Sequence, residues 1–101
     1  MLHHIVMWRF LEDADGKSSA DHALWMKNHL EALRDIIPQI KHIEVGLNVN
    51  SSDDAAYDAV LISEFSSQED LRAYKQHPAH VAISAYCNKV RKERAVVDYY
   101  A

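Results

Sequence analysis

The sequence predicts an α+β domain: a ferredoxin-like βαββαβ unit whose four-stranded antiparallel sheet carries its helices on one face. Three observations point there. Four segments show the two-residue alternation of strands. The stretches between them place apolar residues at spacings of three and four. Their order along the chain is that of two split βαβ units. At 101 residues, 49% of them hydrophobic, the chain is long enough for one domain, residues 1–101, with its own core.

His3 to Phe10 alternates as two interleaved sets, His4, Val6, Trp8 and Phe10 against His3, Ile5, Met7 and Arg9. Both sets are largely apolar, so this strand is expected to be covered on both faces. Residues 11–17, with Asp13, Asp15 and Gly16, form a polar turn, and Ser18 three residues before Asp21 is a weak helix-start signal. Ala23, Met26, Leu30, Leu33 and Ile37 then make one apolar helix face, which Pro38 ends. Trp25 lies off that stripe, placed either for solvent or for a partner chain.

Ile43, Val45, Leu47 and Val49 alternate with His42, Glu44, Gly46 and Asn48, giving a second strand with one apolar face. Asn50 to Ala56 is a polar hairpin-type loop, and Tyr57 to Phe65 is the third strand. Ser66 with Glu69 forms a capping box for a short helix carrying Leu71 and Tyr74 on its inner side. That helix breaks at His77, because a residue before proline is pushed out of helical geometry. Pro78 suits the first position of a new helix, which makes His77 its cap. Ala79, Ile83, Tyr86 and Val90 form the new stripe, with His80 on its inner flank, and Arg94 to Tyr100 is the last strand. In this topology the first and last strands are antiparallel neighbours, which brings His4 near Asp98 and Tyr99. The helix-free face of the sheet needs cover, and a second copy of the chain is expected to supply it.

A formal charge of -4 supplies no basic stripe for nucleic acid. Lys89, Arg91, Lys92 and Arg94 do cluster, near the end of the last predicted helix, where cations favour the dipole, so they read as a solvated helix end. Cys87 is the single cysteine, expected as a small core residue; a chain that can form no internal disulfide suits the cytoplasm. There is no apolar run of membrane-spanning length, and no signal-peptide pattern at the N-terminus.

The chemistry-bearing stretch is Tyr74-Lys75-Gln76-His77-Pro78-Ala79-His80, a phenol and two imidazoles around a helix break. Seven histidines invite a metal, yet His77 and His80 three apart, and His3 beside His4, match no strong zinc signature. Glycine-rich phosphate loops and serine-nucleophile motifs are absent, so neither cofactor nor metal is assigned.

Several stretches together resemble the stress-responsive dimeric α/β-barrel family, over essentially the whole chain. They are His4 within His-His-Ile-Val-Met-Trp-Arg-Phe, Ile37-Pro38, Tyr74 with His77-Pro78-Ala79-His80, and Val96-Val97-Asp98-Tyr99. The resemblance implies a homodimer in which two ferredoxin-like sheets pair face to face as a barrel. It also implies a chemistry, because one member, a plant cyclase that forms olivetolic acid, closes a linear polyketide by aldol-type condensation without a redox cofactor. That enzyme's catalytic tyrosine and histidine match Tyr74 and His80, and its amino-terminal pocket histidine matches His4. Its second strand and first helix, which shape its pocket, have no close match here. Other members have no known activity or assemble as stress-associated oligomers.

An aldol-type closure needs a base beside a carbonyl and a donor for the enolate oxygen. The catalytic assignment is therefore His80 as base and Tyr74 as donor, with His4 and Asp98 binding substrate and polarising the pocket, on a small carbonyl compound in cyclase or lyase chemistry. The rival is a non-catalytic stress-associated or ligand-binding module, in which His80 bonds a backbone carbonyl and Tyr74 only packs.

Overall fold

The computed structural model describes residues 1–50 and 52–101. The elements are β1 (Leu2–Phe10), α1 (Ser19–Ala32), β2 (His42–Leu47), β3 (Ala59–Phe65), α2 (Gln68–Gln76), α3 (Pro78–Val90) and β4 (Arg91–Tyr100). The strands form one antiparallel sheet in the order β2-β3-β1-β4, the ferredoxin-like arrangement, with the second crossover helix split into α2 and α3.

Strand register decides what the helices cover. Leu2, His4, Val6, Trp8 and Phe10 share a side with Ile43 and Val45 of β2 and Ala59, Leu61, Ser63 and Phe65 of β3. All are buried, packed with Met26, Leu30, Leu33, Leu71, Tyr74, Ile83 and Val90. The alternate positions make the open face, crossed by two apolar rows, Ile62–Ile5–Val97 and Val60–Met7–Ala95. One chain thus covers β1 on one face only; Met7 and Val97 remain 38% and 54% exposed.

The outer edge of β2 is closed from within the chain. Glu31 on α1 accepts the Val45 amide at 2.9 Å, Lys27 donates to the Val45 carbonyl at 2.7 Å, and Arg34 donates to the Ile43 carbonyl at 2.5 Å. Hydrogen bonds from Lys27 and the Val45 amide outweigh burial and hold the Glu31 carboxyl below its usual range.

Several expected boundaries move. Ser18 caps α1 by accepting the Asp21 amide at 3.1 Å, but the α-helix ends at Ala32, a tight turn at Leu33–Asp35 follows, and Ile37 is buried beyond it. Val49 lies outside β2 and is 98% exposed, because the β2–β3 pairing stops at Leu47 with Ala59. Of the loop expected over 50–56, Ser51 lies outside the described residues. The cap of α2 is Ser67, accepting the Asp70 amide at 3.1 Å, and not Ser66. β3 continues through Phe65, which leaves Ser66 as the corner and passes the cap to the next hydroxyl. The Trp25 ring is partly buried, lying between His29 and Tyr86 with centroids 3.7 and 3.8 Å away. His22 beside it is fully buried, one ring nitrogen bonded to the Tyr86 hydroxyl and the other to the Ala14 carbonyl.

Candidate active site

The site is built at the α2–α3 junction. Leu71 and Tyr74, three apart on α2, both face the core. Pro78 forces His77 into an extended backbone (φ -63°, ψ 134°), ending α2 at Gln76 and starting α3, and the His77 ring caps the new helix by accepting the Ala79 amide at 3.1 Å. The turn carries His80 over Tyr74, with ring centroids 4.4 Å apart. Lys75 has one of the carbonyls left over at the end of α2, and His80 Nδ1 bonds it at 3.2 Å. A carbonyl only accepts, so Nδ1 carries the proton and Nε2 keeps a lone pair.

The other half comes from the sheet. His4 stands opposite Asp98 in the β1–β4 register, and its Nδ1–H donates to the Asp98 carboxylate at 2.6 Å. The buried Ser63 hydroxyl donates to the His4 carbonyl at 2.8 Å. His4 and Tyr74 meet edge to face at 6.3 Å between centroids. Tyr99, expected beside His4, has the opposite parity and stacks on His3 on the open face at 5.0 Å.

His4, Tyr74 and His80 line a cavity of about 60 Å³ between the sheet and the helices, with Trp8, Ser84, Cys87, Asn88 and Arg94 among its other walls, whereas Asp98 lines a separate cavity of about 270 Å³ beside Leu71, Lys75 and Tyr100. The first cavity continues into an outer mouth of about 430 Å³ framed by His4, Lys75, His80, Ser84, Asn88 and Arg94. The lining lies on the helix face of the sheet. The parity of the strands is the reason: His4 and Asp98 point away from the open face. Among the described residues no group of three His, Cys, Asp or Glu side chains is arranged to hold a metal ion.

Arg94 is the cavity residue that sequence reasoning does not assign to the site. α3 passes directly into β4 at Arg91, ahead of the expected start at Arg94, so Arg91 and Lys92 join Arg94 in the strand and the basic cluster is not a helix end. Arg94 pairs with Trp8 in register and reaches the cavity. The switch from helix to strand has no glycine or proline to mark it. The pairing that decides it, Leu11 amide to Val90 carbonyl at 2.8 Å, is a contact across most of the chain.

Burial governs the electrostatics. Tyr74 is completely buried, which pushes its phenol well above the ordinary range despite the nearby Arg94 charge, so it stays a neutral O–H donor; among the described residues its hydroxyl has no partner. Desolvation lowers His80 below 6.5 against the effect of the Lys75 carbonyl, with the positive fields of Lys75 and Arg94, and of His4 whenever it is protonated, adding to it. Desolvation also lowers His4, with Asp98 opposing. Both rings are therefore neutral near pH 7. The Cys87 thiol is buried and pushed up to about 11, which suits the packing role expected for it.

A ferredoxin-like chain with an uncovered apolar sheet face resembles the dimeric ferredoxin-like proteins of solved structure. The chain belongs to the stress responsive A/B barrel domain family, whose model matches residues 2–101. It is 34% identical over 83 residues to a stress-response A/B barrel domain-containing protein of Arabidopsis thaliana, and that match takes in 82% of this chain but only 30% of the relative's length. A dimeric ferredoxin-like protein of unknown function from Bacteroides fragilis superposes with a TM-score of 0.82 at 33% identity, covering 99% of this chain and 95% of that one. The hydroxynitrile lyase of Passiflora edulis has a TM-score of 0.79 at 19% identity, over 97% and 90% of the two chains, and shows the shared fold alone. No helix of the described residues is long and apolar enough to cross a membrane.

Proposed function

We propose that the cavity performs cofactor-free proton transfer on a small carbonyl compound, cyclase or lyase in type, in a homodimer paired through the open sheet faces. One observation carries the reading. A buried phenol with no hydrogen-bond partner among the described residues lies against an imidazole whose Nδ1–H is held by backbone and whose Nε2 is left as a base.

In this reading His80 Nε2 takes a proton from the carbon beside a carbonyl, and the C–H electron pair moves to the carbonyl oxygen as an enolate. The Tyr74 hydroxyl donates to that oxygen, in a water-poor site where the interaction is strong. The enolate carbon then attacks a second carbonyl of the same molecule, and the imidazolium returns its proton to the new alkoxide. His4, oriented by Asp98, adds a second polar contact to the substrate. The apolar rows of the open face, together with a dimeric relative at 33% identity, support the sheet-to-sheet dimer.

The test is exchange of α-protons for deuterium, followed by proton NMR over a panel of small ketones and 1,3-diketones. Exchange is expected to exceed the buffer rate, to fall at least about 100-fold in His80→Ala and about 10- to 100-fold in Tyr74→Phe. A rate equal to buffer, or one indifferent to His80→Ala, removes the proton-transfer reading. Ligand binding without exchange would make the chain a binding module.

A further inference from the structure

The geometry points to a ligand that carries a carboxylate as well as a carbonyl: Arg94 at the cavity mouth anchors the anion while the carbonyl reaches Tyr74 inside. The inference deepens the proton-transfer reading and rests on its choice of cavity, but not on turnover.

Three observations carry it. Arg94 lines both the inner cavity and its mouth, so one side chain spans the entrance. Lys75 joins it at the mouth. The ion pairs among the described residues are His3–Glu64, His4–Asp98, Arg9–Glu93, Lys27–Glu31 and His42–Glu44, and neither Arg94 nor Lys75 belongs to any of them. Asp98, the carboxylate nearest the site, is engaged by His4, and Glu93 lies across the sheet against Arg9.

Inside, the buried polar atoms without partners are donors. Tyr74 offers a neutral hydroxyl and Trp8, also in the wall, offers its indole N–H. A set of a phenol O–H, an indole N–H and a guanidinium is complementary to oxygen acceptors, the outermost of them charged. Room agrees with this division: about 60 Å³ inside takes a small carbonyl-bearing head, and the 430 Å³ mouth takes the rest. A purely apolar ligand would leave the buried Tyr74 and Trp8 donors unsatisfied.

The test uses stable keto acids of increasing length (4-oxopentanoate, 5-oxohexanoate and 6-oxoheptanoate) beside their methyl esters. Binding to the wild-type chain and to Arg94→Gln is measured by calorimetry and by amide chemical shifts, which also report that the variant is folded. At least one acid is expected to bind about tenfold more tightly than its ester, the scale of one charge-assisted hydrogen bond. Arg94→Gln should erase that preference by weakening the acid far more than the ester, and raised salt should weaken it. Equal binding of acids and esters across the series, or a preference that survives Arg94→Gln, overturns the inference. α-Proton exchange measured on neutral diketones separates the two claims. Exchange without acid preference leaves the reaction and removes the anion site, whereas acid preference without exchange leaves the anion site and removes the reaction.

Discussion

His3 and His4 are adjacent, carry the same side chain, and meet opposite surroundings. His4 points under the helices, is buried, and gives its Nδ1–H to Asp98. His3 points to the open face, stacks on Tyr99 and lies 3.8 Å from Glu64, partly in solvent. The same division runs the length of the sheet. The helix face encloses a small polar cavity within a packed core, while the open face presents apolar rows bordered by charged and aromatic groups. Strand parity alone separates the cavity proposed for chemistry from the face proposed for association, so each can be disturbed without the other.

The strongest test of that separation is a charge at the centre of the open face. Ile5→Asp should weaken the dimer at least about 100-fold, because two-fold symmetry buries the unpaired charge twice. Sedimentation at micromolar concentration would show a species of one chain mass, with the helical circular dichroism kept. A wild-type chain that already sediments at one chain mass would remove the sheet-face dimer.

A smaller effect is expected on the helix face. Asp98→Asn takes away the carboxylate that opposes desolvation at His4, so the His4 titration seen by NMR should move further below 6.5. Exchange activity should drop by roughly tenfold, the lower end for loss of a group that orients a pocket histidine. Dimer mass should not change. A His4 titration that stays in place would show that the carboxylate does not govern the ring.

The smallest effect concerns stability in acid. Burial lowers both His4 and His80 in the folded chain, so below 6.5 the unfolded chain binds protons that the folded one does not. The stability they contribute is present above that pH and is lost as the pH falls through their folded values. Thermal melts from pH 7.5 to 5 should record a declining midpoint, with the decline reduced in His80→Gln. An unchanged slope in that variant would assign the acid sensitivity elsewhere.

Much of this was legible in the chain. The two interleaved sets of His3 to Phe10 announced a strand with two apolar faces, and Pro78 after His77 announced the helix junction with its imidazole cap. Leu71 and Tyr74 were recognisable as inner residues of α2. His4 with Asp98 followed from the antiparallel placing of the first and last strands. Arg94 and Trp8 were missed as site residues. One was hidden in an unmarked passage from helix to strand, and the other looked like any core aromatic.

By itself, then, the sequence determined periods and breaks: which residues alternate, where a proline stops a helix, and that the covalent order is βαββαβ. These are local, set by backbone sterics and side-chain solvation over a few residues. Only the tertiary structure decided that His80, Tyr74, His4 and Arg94 line one cavity under the helices, with Asp98 bonded to His4. That convergence depends on the β1–β4 register, a pairing of residues more than ninety positions apart near its ends, such as His4 with Asp98. A single-residue slip of β4 would turn Arg94 and Asp98 to the open face, taking one polar wall from the cavity and the partner from His4.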